Sequence, residues 1–169
     1  METIKIKIYV SNQKEINAEL YPSVAPKTVE NFIKLIKENY YNGVIFHRVI
    51  KNFMIQTGGY YIENKSLGEK NTDSIYGEFT ENGFKNDLKH TKGVLSMART
   101  NKPNSASGQF FICSVDCPHL DNKYAAFGKV IDNESLKVVD EISKVKTTRF
   151  YYFDDFPVEP ISITKIEIL

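Results

Sequence analysis

Both ends of the chain alternate apolar and polar residues, and this two-residue period most limits the folds open to it. Near the N-terminus, one side of an extended chain would carry only aliphatic residues, namely Ile4, Ile6, Ile8 and Val10. The pattern recurs over 16–20, and over 161–168 except around Lys165. Side chains on a strand point alternately to its two faces, so these segments predict half-buried strands. We expect the first two to form a hairpin that turns within 11–14.

The interior of the chain adds short strand-like runs and two amphipathic helices. The runs are 44–50, 53–56, 94–98, 109–114 and 124–131. One helix begins near Pro26 and carries apolar residues at helical spacing; the other covers 133–145. Strands outnumber helices and recur at short spacing, which favours a closed antiparallel barrel or sandwich over a parallel α/β fold. No repeat or linker divides the sequence, so we expect a single domain, 1–169.

The balance of charge argues against a polyanionic partner. The chain has 22 basic and 21 acidic residues, a formal charge of +1, so we expect no binding to nucleic acid. No segment approaches the run of about 20 apolar residues that spans a bilayer. The N-terminus also lacks the continuous apolar stretch of a signal peptide. We therefore expect a mature intracellular protein, cytoplasmic and without membrane contact.

The side chains that usually carry catalysis show no familiar spacing. His47, His90 and His119 are scattered, and no ligand spacing typical of a metal site is present, so no metal is expected. A nucleophile elbow and a phosphate loop are also missing. Cys113 and Cys117 match neither a redox nor a zinc motif. Two free thiols are the preferred interpretation, with a regulatory disulfide as the alternative.

Polar residues occur among large apolar ones in three of the strand-like runs. By alternation, Gln109 and Phe111 share one face, whereas Phe110 and Ile112 share the other. An amide is not buried without partners at low cost, so Phe110 and Ile112 are placed inside. The same rule pairs Met54 with Gln56, opposite Ile55, and pairs Arg48 with Phe46 and Ile50. Such a surface is either a loosely amphipathic sheet face or an apolar pocket with a few polar anchors.

Four separate motifs then resemble the cyclophilins, a family of peptidyl-prolyl cis/trans isomerases. They are FHRVI-x-x-FMIQ-x-G, GVLSMAR, NSASGQFFIC and HLDNKYAAFGKV, supported by APKTVENF and by the final strand. The resemblance extends from about residue 4 to 169 and is nearest to single-domain bacterial members. It implies a closed eight-stranded antiparallel β-barrel capped by two α-helices. It also implies rotation about X-Pro bonds in peptides and unfolded proteins, with no cofactor because no bond is broken.

The resemblance also assigns roles to residues of this chain. It implies that Arg48 is catalytic and that an apolar wall binds the proline ring, formed by Phe53, Met54, Phe111 and Leu120. It makes Gln56 and Gln109 polar anchors and places Ala98 at the pocket edge. Arg99 falls where many relatives have Asn and use the backbone of that residue. His119 and Tyr124 complete the expected substrate-binding set.

The chain departs from the best-known eukaryotic members at several of these positions. His119 stands where they have Trp, and Tyr124 where they have His. We therefore expect cyclosporin to bind, if at all, with weakened affinity. The segment between Gln56 and Ser74 is longer than usual, which leaves the sequence preference around proline open. Its polar stretch 60–74 is predicted to be a loop.

Two further questions remain open from the sequence. The protein is expected to be a monomeric isomerase, but a peptide-binding module with little catalysis, whose 60–74 segment serves a specific partner, is an alternative. A barrel carrying a small lipophilic ligand has less support, because the polar anchors lie on the outer face. The aromatic stretch RFYYFDDFP (149–157) is expected to pack over the barrel end, and a partner surface is the other interpretation.

Overall fold

The computed structural model describes residues 2–169 and shows a mainly β fold with two helices. The helices are α1 (Pro26–Lys37) and α2 (Asn133–Ser143). The strands are β1 (Ile4–Val10), β2 (Lys14–Leu20), β3 (Arg48–Ile50), β4 (Met54–Thr57), β5 (Tyr60–Glu63), β6 (Ser66–Glu69), β7 (Val94–Met97), β8 (Phe110–Cys113), β9 (Ala126–Val130), β10 (Thr147–Phe150), β11 (Phe153–Pro157) and β12 (Ile163–Ile168). Within the described residues, no helix is both long and apolar enough to cross a bilayer.

Eight strands form one antiparallel sheet in the order β12-β1-β2-β9-β7-β8-β4-β3. The predicted hairpin of β1 and β2 is confirmed, and β12 pairs with the other edge of β1. The predicted eight-stranded antiparallel sheet with two helices is confirmed. It is an open half-barrel, because its end strands β12 and β3 do not pair in a ladder, and the predicted closure is not found. At the seam Ile45 and Ser162 form an isolated bridge, and the backbone N–H groups of Gly43 and Phe46 donate to the carbonyl oxygens of Ile163 and Ile161. No regular ladder forms there, because strand structure begins only at Arg48.

The two faces of the sheet bury different sets of side chains. One face packs against both helices and holds the main core, to which Ile55, Phe110 and Ile112 belong. The other face carries a smaller apolar cluster that includes Met54 and Phe111. The face assignment made for β4 and β8 from sequence alternation is therefore confirmed.

The same reasoning failed for the run that leads into β3. Phe46 belongs to the main core, whereas Arg48 is exposed. The two residues do not share a face, because residues 46 and 47 lie before the strand begins and strand alternation does not extend to them.

Two small hairpins lie outside the main sheet. The predicted loop 60–74 contains the hairpin β5–β6, and its turn residues Asn64 and Lys65 both have positive φ, as a tight two-residue hairpin turn requires. The aromatic stretch forms the hairpin β10–β11, which lies against β3. Its inner rings pack as expected, with Phe156 buried, while Tyr151 and Tyr152 at the tip are exposed.

Candidate active site

Three neighbouring strands bring the residues singled out in the sequence onto one surface. In the β3–β4 register Arg48 lies opposite Gln56, and in the β4–β8 register Gln56 lies opposite Phe111. Gln109 comes just before β8. The antiparallel ladder, and not closeness in sequence, therefore assembles the site.

The side chain of Gln56 links Arg48 to Gln109. Nη1 of Arg48 donates to Oε1 of Gln56 at 3.2 Å, and Nε2 of Gln56 donates to Oε1 of Gln109 at 2.9 Å. A guanidinium has five N–H donors, and Arg48 is exposed. One amide therefore tethers the guanidinium while most of its donors stay available at the surface.

The glycine pair 58–59 makes room for this row of amides. A Cβ at Gly59 would lie 2.5 Å from Nε2 of Gln109. Gly58 has φ +101°, and its Cβ would lie 2.6 Å from the carbonyl oxygen of Gly108. Only glycine lets the chain after β4 pass this close to the residues before β8.

An apolar wall lies beside the tethered arginine. Met54, Phe111 and Leu120 are buried, and Phe53 is half-buried. The ring of Phe111 meets the ring of Tyr124 edge-on, with the centroids 5.8 Å apart. Aromatic and thioether groups give such a wall a large contact area and an adaptable shape.

A buried polar network supports the wall from behind. The ring of His90 stacks on Phe111 at 6.2 Å. Its Nδ1 contacts Oδ1 of Asp121 at 3.1 Å, and its Nε2 contacts Oγ of Ser96 at 2.8 Å. Burial lowers the pKa of His90, and the bond to Asp121 opposes that shift. Both ring nitrogens of this 1% exposed side chain are thus satisfied.

The opposite end of the groove is lined by His47, Tyr60 and Phe153, which we call the aromatic end. The His47 ring lies 4.7 Å from Tyr60 and 5.1 Å from Phe153, and the last two are 4.8 Å apart. Nδ1 of His47 is buried without a hydrogen-bond partner within residues 2–169. Burial and then the charge of Arg48 lower the pKa of His47 to about 4.

Arg99 closes one side of the groove through its side chain. Its guanidinium lies 4.6 Å from the Phe79 ring and 4.7 Å from the Tyr124 ring. It also donates to the carbonyl oxygens of Lys123 and Thr100. These contacts fix the guanidinium of Arg99 at the side of the groove, whereas the guanidinium of Arg48 is more accessible.

Together these features form one groove of about 410 Å³. Its lining includes ten residues of the predicted set, namely Arg48, Phe53, Met54, Gln56, Ala98, Arg99, Gln109, Phe111, Leu120 and Tyr124. His119 is the exception. It is exposed in a 3-10 turn and packs its ring against Phe53 at 5.4 Å, outside the groove lining.

Six lining residues were absent from the predicted set: His47, Tyr60, Thr100, Ser105, Ser107 and Phe153. Ser107 stands two positions before Gln109, so continued alternation was a signal for it. Phe153 had no such signal, because it reaches the groove from a separate hairpin.

The remaining reactive side chains do not converge on the groove. Within residues 2–169, no three His, Cys, Asp or Glu side chains come together in a way that could hold a metal ion. Cys113 and Cys117 are buried free thiols, and burial raises the pKa of both. High thiol pKa values and burial make these cysteines poor nucleophiles.

Comparison with known proteins gives a consistent result. Residues 5–168 match the family model described as cyclophilin type peptidyl-prolyl cis-trans isomerase/CLD. A peptidyl-prolyl cis-trans isomerase of Acinetobacter baylyi is 42% identical over 163 residues, covering 94% of this chain and 82% of that protein. The chicken peptidyl-prolyl cis-trans isomerase-like 3 is 44% identical over 152 residues, covering 88% of this chain and 89% of that protein.

Solved structures show the same likeness in three dimensions. A cyclophilin-type isomerase of Cryptosporidium parvum aligns with a TM-score of 0.80 at 28% identity, covering 99% of this chain and 98% of that one. The structure of that protein determined in the presence of the dipeptide Ala-Pro aligns with a TM-score of 0.77 at 30% identity, covering 98% of each chain. Four sequence motifs, an open eight-stranded half-barrel and a family match across nearly the whole length thus agree, and the chain belongs to the cyclophilin-type peptidyl-prolyl cis-trans isomerases.

Proposed function

We propose that the groove accelerates rotation about X-Pro bonds in proline-containing peptides and unfolded polypeptides, with Arg48 as the catalytic residue. The observation that carries this proposal is a tethered guanidinium beside an apolar wall in one groove. Membership of an isomerase family supports the reaction class.

The reaction explains why the site needs no activated nucleophile or general base. Rotation about a peptide bond removes amide resonance, with a barrier of about 18–20 kcal/mol, but it breaks no bond. The enzyme has to bind the proline ring while the neighbouring carbonyl turns. Phe53, Met54, Phe111 and Leu120 would provide that grip.

Arg48 would act on the transition state. As the bond twists, the lone pair of the proline nitrogen localises and becomes a better hydrogen-bond acceptor. A guanidinium donor aimed at it binds the twisted amide more tightly than the planar one, which is the condition for catalysis. Its tether to Gln56 fixes the guanidinium beforehand, and Gln109 extends the polar row along which the substrate backbone would lie.

The central test is Arg48→Ala, measured by exchange NMR spectroscopy on a short X-Pro peptide. Loss of one preorganised transition-state donor should lower turnover by about 10²–10³-fold. Arg48→Lys should recover only part of that loss, since lysine lacks the rigid planar fork. Full activity in Arg48→Ala would contradict the proposed role.

Arg149→Ala is the matched control. Arg149 is also exposed and belongs to β10, but it pairs with Asp154 outside the groove lining. Its removal should leave exchange rates unchanged. If the wild-type protein binds the peptide without accelerating exchange, the alternative of a peptide-binding module replaces the isomerase.

Weakened cyclosporin binding is a second proposal, and the position of His119 supports it. The imidazole is exposed beside Phe53 and lies outside the groove lining, so it offers less apolar area than the Trp of better-known relatives. Titration should show affinity weaker than low nanomolar, and His119→Trp should strengthen it by about tenfold. Low-nanomolar binding by the wild-type protein would contradict this expectation.

A further inference from the structure

The aromatic end lies on the opposite side of the Arg48–Gln56–Gln109 row from the apolar wall. His47 directly precedes Arg48, and Tyr60 directly follows Gly59, which contacts Gln109. Both ends border the same continuous groove. A peptide bound with its proline against the apolar wall would therefore extend past Arg48 towards these rings.

We propose that His47, Tyr60 and Phe153 form a second subsite of the groove, which binds an aromatic side chain next to the proline of the substrate. This inference rests on the proposed isomerase function, since it assumes that a peptide occupies the groove. It adds a preference for the neighbouring residue that the reaction itself does not require.

The volume of the groove supports an occupant larger than one proline ring. About 410 Å³ falls within the range of pockets that enclose drug-sized ligands. The apolar wall accounts for one end of this space, and the three rings account for the other.

The chemistry of the lining favours an aromatic ring over a charged group. The three rings already pack at 4.7–5.1 Å in tilted and edge-on arrangements, which a further ring can join. The guanidinium of Arg48 borders the same space, where it would repel a cation but attract the face of an aromatic ring. His47 carries no charge near neutral pH, because burial lowers its pKa to about 4.

The orphaned atom of His47 gives the subsite its adaptability. This side chain is 2% exposed, yet Nδ1 has no hydrogen-bond partner within residues 2–169. No hydrogen bond of that atom fixes the ring, so packing against Tyr60 and Phe153 positions it. A ring positioned by packing adjusts to an incoming side chain more readily than one fixed by directed hydrogen bonds.

Three short peptides test the inference on the full chain: one with Ala on both sides of the proline, one with Phe before it and one with Phe after it. Exchange NMR gives kcat/KM for each. We expect the wild-type protein to prefer one Phe peptide over the Ala peptide by about three- to tenfold. In Phe153→Ala that ratio should fall below about twofold, and Phe153→Leu should give an intermediate ratio.

Tyr151→Ala is the matched control, because it removes an exposed ring from the same hairpin outside the groove lining. It should keep the wild-type ratio. The imidazole NMR signals of His47 provide a readout that needs no turnover. They should shift on addition of the preferred Phe peptide, and by much less with the Ala peptide, in both the wild-type protein and Arg48→Ala.

The outcomes separate the two proposals. If the wild-type protein accelerates no peptide, the isomerase function fails, and the His47 signals still report whether the subsite binds the ring. Equal kcat/KM for all three peptides, or a preference that persists in Phe153→Ala, would overturn the subsite while leaving the isomerase function intact.

Discussion

An almost fully buried histidine lies at each end of the groove, His47 in its lining and His90 behind its apolar wall, and the two are held in different ways. His90 sits behind the apolar wall with both ring nitrogens bonded, to Asp121 and to Ser96. His47 sits at the aromatic end with Nδ1 unbonded. The two side chains are almost equally buried, with His90 1% and His47 2% exposed. His90 nevertheless forms a rigid support at one end, whereas His47 is held by ring packing at the other.

This difference suits the two tasks proposed for the groove. A proline ring has one shape, so a wall fixed by directed hydrogen bonds behind Phe111 can match it. The residue next to proline varies among substrates, so a histidine ring whose Nδ1 makes no hydrogen bond can adapt to it. On these proposals, the buried histidines mark the part of the groove whose shape is fixed and the part that can adjust to a bound ring.

The largest expected effect comes from removing the support at the proline end. His90→Ala should lower the free energy of unfolding by about 4 kcal/mol, because it leaves a cavity in place of the buried ring and leaves the buried hydroxyl of Ser96 without its hydrogen-bond partner. Denaturant unfolding measures this change. His119→Ala, a histidine that is exposed, should change it by less than about 0.5 kcal/mol. Similar effects for the two variants would show that the network does not support the wall.

The next effect concerns the pH dependence of stability. His47 has a pKa of about 4 in the folded protein, against 6.5 as its ordinary value. Between these two pH values the unfolded chain binds a proton that the folded protein does not. The stability due to neutral His47 is therefore fully present above pH 6.5 and falls by up to about 3 kcal/mol as the pH drops to 4.

Unfolding of the wild-type protein and of His47→Phe, compared between pH 7.5 and 4.5, isolates this contribution. The variant should lose clearly less stability over that interval, since its ring has no proton to accept. His90 acts in the same direction in both proteins, because its pKa is also lowered. Parallel pH curves for the two proteins would contradict the assignment.

The smallest effect is the change in stability that His47→Phe causes at pH 7.5. The substitution keeps a ring between Tyr60 and Phe153 and removes a buried polar atom without a partner. We expect the free energy of unfolding to rise by about 1 kcal/mol, measured by denaturant unfolding. Destabilisation would mean that Nδ1 has a partner in solution, and the contrast between the two histidines would disappear.

Alternation in the sequence predicted the faces of the central strands correctly. It placed Phe110 and Ile112 inside and Phe111 on the other face, as found. It succeeded there because β4 and β8 are regular, with ladder pairs on both sides of β4 and along β8. It failed at Phe46, where the chain is not yet a strand and the two-residue period has no physical basis.

Other features depended on interactions that no local pattern records. Two of these features arise from packing between distant parts of the chain: the open seam and the position of Phe153 beside His47. The lack of a partner for His47 is likewise a property of its surroundings, since the same residue type at position 90 is fully bonded.

The sequence by itself determined the mainly β fold, the family and ten residues of the groove lining, because strand alternation and the family motifs are local and survive as linear patterns. Tertiary structure alone decided that the sheet stays open, that His119 lies outside the lining, and that a second hairpin completes an aromatic end. Those outcomes depend on which surfaces meet in space, and contact between surfaces far apart in the chain leaves no periodic trace along it.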